Sequence, residues 1–487
     1  MSKTWDMSRR KLLNAGAGLA ATALLPLRAF GAAPAISPLM TKLSSYMEQA
    51  ASRKLPPAVE ERTKQAILDT LAAIISGAEL PPGKFALNFA RLNQGDKNST
   101  IPASNILCGP IEAALVNGLL AHSDETDDTH PDSLSHPGSA VIPAALAAGE
   151  KFGASGDAFL RAVALGYDVG PRVTAMLGRQ SYMEATHRST HAIAGTFGAA
   201  AAAGALASLS AQQMRWLLSY TAQSASGIAS WQRDTQHIEK SFDFAGMAAR
   251  NGVTAALLVQ AGGTGVDDVF SGADSFIEAF KPMNDPAILA DGLGERYEVM
   301  RTDVKKWTVG SPIQAPLDAL DALIKKHGFS ADAVQKVTVR VAKHEASIVD
   351  NRDIPDICLQ HMIAVMLIDK TASFRAAHDM ARMKDPAVLK QRAKVQLVGD
   401  ADLDRLLPKR VGIVEVTLTD GKTVFERVDT VRGTSGNPLT RQELIAKARD
   451  LIVPVLGAGK FQQLSDKIFA LETVKAIIDL RPLLQTG

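Results

Sequence analysis

Apolar residues three and four positions apart run through most of residues 36–300, and this repeat restricts the possible folds more than any other feature of the sequence. It is clearest in six segments: residues 55–76, 111–122, 139–152, 157–177, 192–209 and 248–261. The repeat places apolar side chains on one face of an α-helix. Several of these segments are rich in alanine, so neighbouring helices can pack closely. The sequence therefore predicts a mainly α protein with a large all-helical domain at residues 36–300.

The pattern changes after Trp307. Two later segments alternate apolar and polar side chains as strands do: residues 336–342 and 412–419. Two segments between them keep the helical repeat: residues 359–368 and 386–392. Asp420-Gly421 directly after the second strand is typical of a β-hairpin turn. We therefore predict a smaller α+β lid domain at residues 305–450. C-terminal helices within residues 455–487, including one at 464–478, are expected to return to the helical domain.

The N-terminal residues have the layout of a twin-arginine export signal. Arg9 and Arg10 precede an apolar stretch that ends near Leu25, and small residues at 29–33 offer a cleavage site. We therefore interpret residues 1–33 as a twin-arginine signal peptide, which implies a periplasmic protein. The apolar stretch is too short and too rich in alanine and glycine for a clear membrane span, and an uncleaved N-terminal anchor is the alternative. We expect no stable membrane association once the signal is removed.

Charge and cysteine content exclude several classes of protein. Five basic residues and one acidic residue in residues 1–33 contribute +4, so the net charge of +2 for the whole chain becomes −2 without them. The remainder has no cluster of lysine and arginine, and we expect no nucleic-acid partner. Cys108 and Cys358 are the only cysteines, so no disulfide framework is available and stability must come from an apolar core.

The densest group of polar residues lies at 121–138, between two apolar helical segments. It contains five acidic residues and three histidines. Crowded carboxylates must be protonated, hydrogen-bonded or paired with cations in a folded protein, and such groups are candidate acids and bases. A solvated acidic loop that only caps helices through Asp132, Ser133 and Ser135 is the alternative.

Blocks of sequence along the whole chain form a further pattern. They are residues 55–56, 68–71 and 77; 113–118, 122, 127–130, 136–138 and 143–144; 194–201 and 223–227; and 240–242, 246, 248–252 and 265. Together and in this order they resemble the MmgE/PrpD family of 2-methylcitrate dehydratases and cis-aconitate decarboxylases. The resemblance implies a two-domain subunit with a helical domain and an α+β lid, a homodimer, and an active site in the cleft between domains. It also implies a lyase without metal, iron–sulfur cluster or other cofactor.

The resemblance also assigns residues to the site. It implies catalytic roles for His136, Glu125, Asp128, Thr129 and Lys240. Lys305 and Lys240 would bind substrate carboxylates, and we add His130 and His191 as substrate-binding candidates. These residue types suit proton removal next to a carboxylate, which needs a base with a tuned pKa and cations for the negative charge. We also expect the N-terminus of a helix beginning at Gly246 to contribute to the anion site.

Several positions depart from the family pattern. Gly310 and Gln314 stand where a cysteine or histidine and a further histidine are common, so one proton-transfer group is missing or comes from elsewhere. The second site lysine of the family pattern aligns with Lys305, but a shift of one residue would place it at Lys306. Decarboxylase-like members of the family contribute a tyrosine from the lid, and residues 348–352 contain no match to it. His361 is a possible substitute, although a partly buried helix histidine is an equal interpretation, and His187 could face the cleft beside His191.

The first functional hypothesis is a dehydratase of a small hydroxy di- or tricarboxylate, such as a 2-methylcitrate-like acid. Decarboxylation or isomerisation of an aconitate-like acid would use nearly the same groups. The second is a metal-dependent hydrolase, with ligands among Asp124, Asp127, Asp128, His130 and His136. The third is a carboxylate-binding protein that lost turnover when Gly310 and Gln314 appeared.

Overall fold

Helices make up most of residues 35–486, the range that the computed structural model describes. The predicted mainly α class is confirmed. The predicted signal peptide at residues 1–33 lies outside the described residues. No helix within residues 35–486 is long and apolar enough to cross a membrane.

Each of the six helical segments predicted before residue 300 is a helix. The α-helices in this part are Pro38–Gln49, Pro57–Gly77, Pro81–Leu92, Pro110–Ala121, Pro137–Phe152, Gly156–Leu177, Arg179–Thr186, Thr190–Leu206, Ala211–Ser224, Ile238–Ser241, Met247–Gln260 and Phe276–Phe280. Proline at the first position starts several of them, because its missing N–H would be unpaired there anyway. The term all-helical is wrong in one detail: strands Ser99–Thr100 and Leu107–Cys108 form a short antiparallel pair.

The later part of the chain mixes helices and strands, as its sequence pattern predicts. The α-helices are Ser311–His327, Lys343–Val349, Leu359–Asp369, Phe374–His378, Pro386–Arg392, Ala401–Asp404, Arg441–Leu456, Ala458–Phe469 and Arg481–Leu484. The strands are Val334–Ala342, Val395–Asp400, Gly412–Leu418 and Thr423–Val428. The helix expected at 464–478 ends at Phe469, and two 3-10 turns, Leu471–Thr473 and Ile477–Leu480, follow it.

The four later strands form one sheet. Strand Val334–Ala342 pairs in parallel with Val395–Asp400 on one side and antiparallel with Gly412–Leu418 on the other. The predicted hairpin is present, with Thr417 opposite Thr423 and Gly421 at φ +85°, a backbone conformation that glycine adopts without strain. One face of the sheet packs against helices Ser311–His327 and Leu359–Asp369.

Buried apolar side chains fall mainly into two clusters. The first apolar cluster joins residues 40–299 with residues 448–484, and the second joins residues 307–424. Helix Arg441–Leu456 packs against helix Pro57–Gly77, although the predicted lid extended to residue 450. Its Ala448, Leu451 and Ile452 belong to the first cluster. The division of the chain into two domains at the predicted boundaries stays a prediction.

The helices of the first cluster pack closely at small residues. A Cβ atom added to Gly170 would lie 2.4 Å from the carbonyl oxygen of Ala194 in the neighbouring helix. We expect Gly170→Ala to lower the free energy of unfolding by about 1–3 kcal/mol, as overpacking does. Gly459→Ala is the control, because no atom lies within 4 Å of the added Cβ. Denaturant unfolding measures both variants, and equal stability of the two would contradict close packing at Gly170.

Candidate active site

The polar segment 122–136 connects helix Pro110–Ala121 to helix Pro137–Phe152 and lies inside the protein. Its residues from His122 to Asp128 are all buried, and so is His136. His136 precedes Pro137, which disfavours helical backbone at the preceding residue, and His136 is not helical, with φ −118° and ψ 78°. The interpretation of this segment as a solvated acidic loop is therefore wrong.

Asp127 lies between two imidazole rings. Its Oδ2 is 2.8 Å from Nδ1 of His122, and its Oδ1 is 3.2 Å from Nδ1 of His136. Burial would raise the pKa of Asp127, but the two histidines hold it well below its ordinary value. Burial lowers the pKa of His136, against the opposing effect of Asp127. The site therefore combines an Asp127 carboxylate with a His136 ring that is neutral at neutral pH.

Two ammonium groups from distant parts of the chain meet at Glu125. Lys240 Nζ donates a hydrogen bond to Glu125 Oε1. Lys305 Nζ lies 3.5 Å from Oε2 and donates to the Glu125 carbonyl oxygen at 2.7 Å. Lys305 Nζ is also 4.0 Å from Asp127 Oδ1. Although burial opposes it, the two lysines hold the pKa of Glu125 well below its ordinary value. Glu125 is therefore a carboxylate that holds the lysines and cannot supply a proton near neutral pH.

Aromatic rings form one wall of the histidine and lysine cluster, which consists of His122, Glu125, Asp127, His136, Lys240 and Lys305. Phe244 stacks on His191 with ring centroids 3.8 Å apart, and the His191 ring is 5.3 Å from that of His136. Lys240 Nζ lies over the rings of Phe244 and Trp231, an arrangement that attracts cations. Burial and the neighbouring His136 hold the pKa of His191 well below its ordinary value. His191 is thus beside the predicted base, as expected.

Lys240 lies on a helix that continues past it. Helix Ile238–Ser241 runs without a break through a π-helical turn, Phe242–Gly246, into helix Met247–Gln260. The expected free helix N-terminus at Gly246 is therefore wrong, because its N–H groups lie inside a continuous helix. His237, just before Lys240, has φ +63°, and its ring centroid is 5.2 Å from that of His122. A left-handed non-glycine residue at this place is typical of a constrained functional site.

Asp128 and Thr129 make their contacts with residues outside the cluster. Asp128 accepts a hydrogen bond from Tyr167 Oη at 2.5 Å and one from Gly138 N at 3.0 Å. It therefore fixes the start of the helix that follows His136. Burial raises the pKa of Asp128 to about 7. The backbone of Thr129 pairs with Asp303, and its hydroxyl has no hydrogen-bond partner among the described residues.

His130 points to a different ion-pair network. Its Nδ1 lies 2.8 Å from Ser133 Oγ, and its Nε2 lies 3.2 Å from Glu298 Oε2. Glu298 in turn contacts Arg172 and Arg296. Both ring nitrogens are thus engaged by groups outside the histidine and lysine cluster. The predicted substrate contact of His130 is not supported by this geometry.

The segment 122–136 is also fixed from the C-terminal end of the chain. Lys447 Nζ donates to Asp69 Oδ1 at 2.6 Å and to the carbonyl oxygen of Thr126 at 3.0 Å. Lys447 is on helix Arg441–Leu456 and Asp69 is on helix Pro57–Gly77. Thr126 lies between Glu125 and Asp127, so this contact positions both carboxylates.

Two sets of side chains have the spacing of metal ligands. They are His122, Asp127 and His136, and His122, Glu125 and His237, with ligand atoms within 4.8 Å of one another in each set. Of the ligands predicted for a metal-dependent hydrolase, Asp127 and His136 come together, whereas Asp128 faces Tyr167 and His130 faces Glu298.

Comparison with known proteins decides the family. The MmgE/PrpD N-terminal domain matches residues 41–289, and the MmgE/PrpD C-terminal domain matches residues 307–471. The chain belongs to the MmgE/PrpD family. This protein is accordingly a lyase of the dehydratase and decarboxylase type.

Similar proteins cover nearly the whole chain. The cis-aconitate decarboxylase-like protein oryM of Aspergillus oryzae is 24% identical over 91% of this chain and 96% of its own length. The cis-aconitate decarboxylase of Aspergillus terreus is 24% identical over 92% of this chain and 96% of its own length. The human cis-aconitate decarboxylase is 26% identical over 87% of this chain and 86% of its own length.

The positions at which this MmgE/PrpD protein departs from the family pattern have structural explanations. Gln314 donates to the carbonyl oxygens of Trp307 and Val309 and accepts from Trp307 N, so it holds the turn after Lys305. Lys306 points away to Asp318 and Asp321, which settles the register in favour of Lys305 as the lysine of the cluster.

The substitutes expected for the missing groups do not reach the cluster. His361 is fully buried on a helix of the second apolar cluster, and neither ring nitrogen has a hydrogen-bond partner among the described residues. The interpretation as a buried helix histidine is therefore favoured. His187 is exposed, and no contact joins it to the rings around Phe244 in the described part of the chain.

Four residues near the cluster were missed as site candidates. His122 lay in the polar segment, but only its place in the family pattern had been noted. His237 is next to the Lys240 block and has no motif of its own. Asp356 and His378 lie in the later part of the chain, where no local pattern singles them out.

Proposed function

We propose that this protein is a cofactor-independent dehydratase that interconverts a small hydroxy di- or tricarboxylate and the corresponding aconitate-like acid. The observation that carries the proposal is the buried arrangement in which Lys240 and Lys305 meet at Glu125, with His136 beside Asp127. It supplies cations for substrate carboxylates and a neutral base in one place.

His136 is the base of the proposed reaction. The negative charge of Asp127, 3.2 Å from Nδ1 of His136, favours the tautomer with its proton on Nδ1, which leaves Nε2 free to accept one. His136 would remove a proton from the carbon next to a substrate carboxylate. The adjacent C–O bond then breaks, and the hydroxyl leaves as water after receiving a proton from an acid.

Lys240 and Lys305 stabilise the negative charge that this step creates. Removal of the proton moves charge onto the substrate carboxylate, and fixed cations in a buried site lower the energy of that state. Glu125 keeps both ammonium groups in place before substrate binds. Phe244 and Trp231 limit the water around Lys240, which strengthens its attraction to a carboxylate.

Decarboxylation of an aconitate-like acid is the second candidate. The specific observation in its favour is that the three relatives described above carry that name or a related one over nearly their full length. The same lysines would hold the carboxylates that stay on the substrate. A proton donor would then protonate the carbon that loses carbon dioxide.

A single substrate separates the two candidates. Purified protein is incubated with cis-aconitate, and NMR of the mixture is recorded together with release of carbon dioxide. We expect addition of water to give a hydroxy tricarboxylate, with citrate-like acids losing water in the reverse direction. Carbon dioxide with an unsaturated dicarboxylate supports decarboxylation instead.

The same experiment tests the other hypotheses. Binding of these acids without conversion would favour the carboxylate-binding protein. Elemental analysis and a chelator test the hydrolase hypothesis. A stoichiometric metal whose removal abolishes turnover would contradict cofactor independence.

We also propose export and dimerisation. The twin-arginine pattern around Arg9 and Arg10 supports a periplasmic location. The homodimer follows from the family resemblance.

A further inference from the structure

His378 lies between two buried carboxylates. Its Nε2 is 2.9 Å from Asp124 Oδ2 and 3.9 Å from Asp356 Oδ2. Its Nδ1 is 2.8 Å from the carbonyl oxygen of Phe374, which only accepts, so Nδ1 donates this hydrogen bond. The position of Nε2 between two carboxylates favours a protonated ring. An imidazolium therefore links Asp124, in the segment 122–136, to Asp356.

Asp356 is held beside the cluster that contains Lys305. The N–H of Gly310, five residues after Lys305, donates to the carbonyl oxygen of Asp356 at 2.9 Å. The Asp356 side chain is 6% exposed, and its Oδ1 has no hydrogen-bond partner among the described residues. Asp124, on the other side of His378, directly precedes Glu125. These contacts place a carboxyl group, with one oxygen that accepts no hydrogen bond from a described residue, beside the cluster that contains Lys305.

His378, Asp124 and Asp356 differ in the direction in which their pKa values are shifted. Although burial opposes it, the Asp124 carboxylate 2.9 Å away raises the pKa of His378 to about 9. The same contact outweighs burial for Asp124 and lowers its pKa. Burial raises the pKa of Asp356 to about 7, with Asp124 and Glu125 acting in the same direction and His378 and Lys240 opposing. Near neutral pH, His378 is an imidazolium held by the Asp124 carboxylate, and Asp356 is the carboxyl group of the two that can carry a proton.

Two carboxyl groups in or beside the segment 122–136 can carry a proton near neutral pH, Asp128 and Asp356. Asp128 also holds a proton near neutral pH, but its two oxygens accept hydrogen bonds from Tyr167 and Gly138. Glu125 is ionised and holds the lysines. Asp356 combines a proton with an oxygen that no described residue uses.

We propose that Asp356 is the proton donor of this active site and that His378 is its positioning residue. The inference rests on the proposed function. In dehydration the O–H bond of the Asp356 carboxyl breaks, and its proton joins the leaving hydroxyl to form water. In decarboxylation the proton goes to the carbon that keeps the electron pair of the broken C–C bond. Asp356 becomes a carboxylate beside the His378 imidazolium, and solvent returns the proton.

The pH dependence of turnover tests both roles. Wild-type kcat should fall as pH rises through about 7, where Asp356 loses its proton. We expect Asp356→Asn to lower kcat about a hundredfold or more with little change in KM and to remove this alkaline decline. His378→Gln should move the decline to higher pH, because loss of the imidazolium raises the pKa of Asp356. Asp332→Asn and His344→Gln, at exposed positions, are the controls.

Two outcomes would overturn the proposal. One is an Asp356→Asn enzyme that keeps wild-type turnover, and the other is a slower enzyme whose alkaline decline is unchanged. Infrared titration gives a readout independent of activity: a protonated-carboxyl band present in wild type and missing in Asp356→Asn should disappear as pH rises through about 7. Absence of that band also overturns the proposal. A wild-type protein that shows the band but converts none of the acids contradicts the proposed function instead.

Discussion

Replacing His136 by glutamine should lower kcat by about a hundredfold or more, since a positioned general base typically contributes at least that much. His136 lies 3.2 Å from Asp127, and burial lowers its pKa. On the acid side, wild-type activity should therefore decline as pH falls below the ordinary range of histidine, because protonation removes the base. The decline should be absent in the variant. Steady-state kinetics across pH on the acid that is turned over gives both quantities.

His187→Gln provides a matched control for this change. His187 is an exposed histidine in the turn that leads to the helix carrying His191. We expect wild-type kinetics from it. A His136→Gln enzyme with undiminished turnover would eliminate His136 as the base, and a loss shared equally by both variants would point to a general effect of histidine replacement.

Replacing Lys305 by methionine should have an effect of similar size for a different reason. Lys305 is 5% exposed and contacts both Glu125 and Asp127. Its loss removes a cation that stabilises developing charge, and removal of one such group typically costs about 10²–10³-fold in kcat. It also leaves buried carboxylates less compensated, which typically costs about 3–5 kcal/mol of stability. Kinetics and denaturant unfolding measure the two effects separately.

Lys306→Met is the control for Lys305→Met. The two lysines are adjacent, but Lys306 pairs with Asp318 and Asp321 outside the cluster. We expect kcat within a few-fold of wild type, because its charge does not face Glu125. Equal losses of kcat in the two variants would contradict the assignment of Lys305 to the site.

Much of the fold could be predicted because its helices have strong apolar repeats. Helices Pro137–Phe152 and Gly156–Leu177 agree closely with the segments expected from the sequence. Strand Val395–Asp400 was not predicted, because it is short and is stabilised by parallel pairing with residues distant in sequence. The helix around Lys240 was misjudged, because the helix predicted to begin at Gly246 continues an earlier one through a π-helical turn.

The candidate site could be predicted only in part. The resemblance to a family brought together Glu125, Lys240, Lys305 and His136, which are far apart in sequence. It could not show where side chains point, and His130 turns to Glu298 instead of the cluster. Asp356 and His378 had no local signal, because their importance arises from the contacts of His378 with Asp124 and Asp356, which only the tertiary structure creates.

The hydrogen bonds of Lys447 bear on the order in which the molecule can be assembled. This side chain joins Asp69 and Thr126, from which it is separated by 378 and 321 residues. Contacts of such long range form late, since their loop-closure entropy must be overcome first. A nascent polypeptide that has not yet emerged past position 447 would contain His136, Lys240 and Lys305 but lack the anchor for the backbone between Glu125 and Asp127. Catalytic competence would therefore arise only near the completion of synthesis.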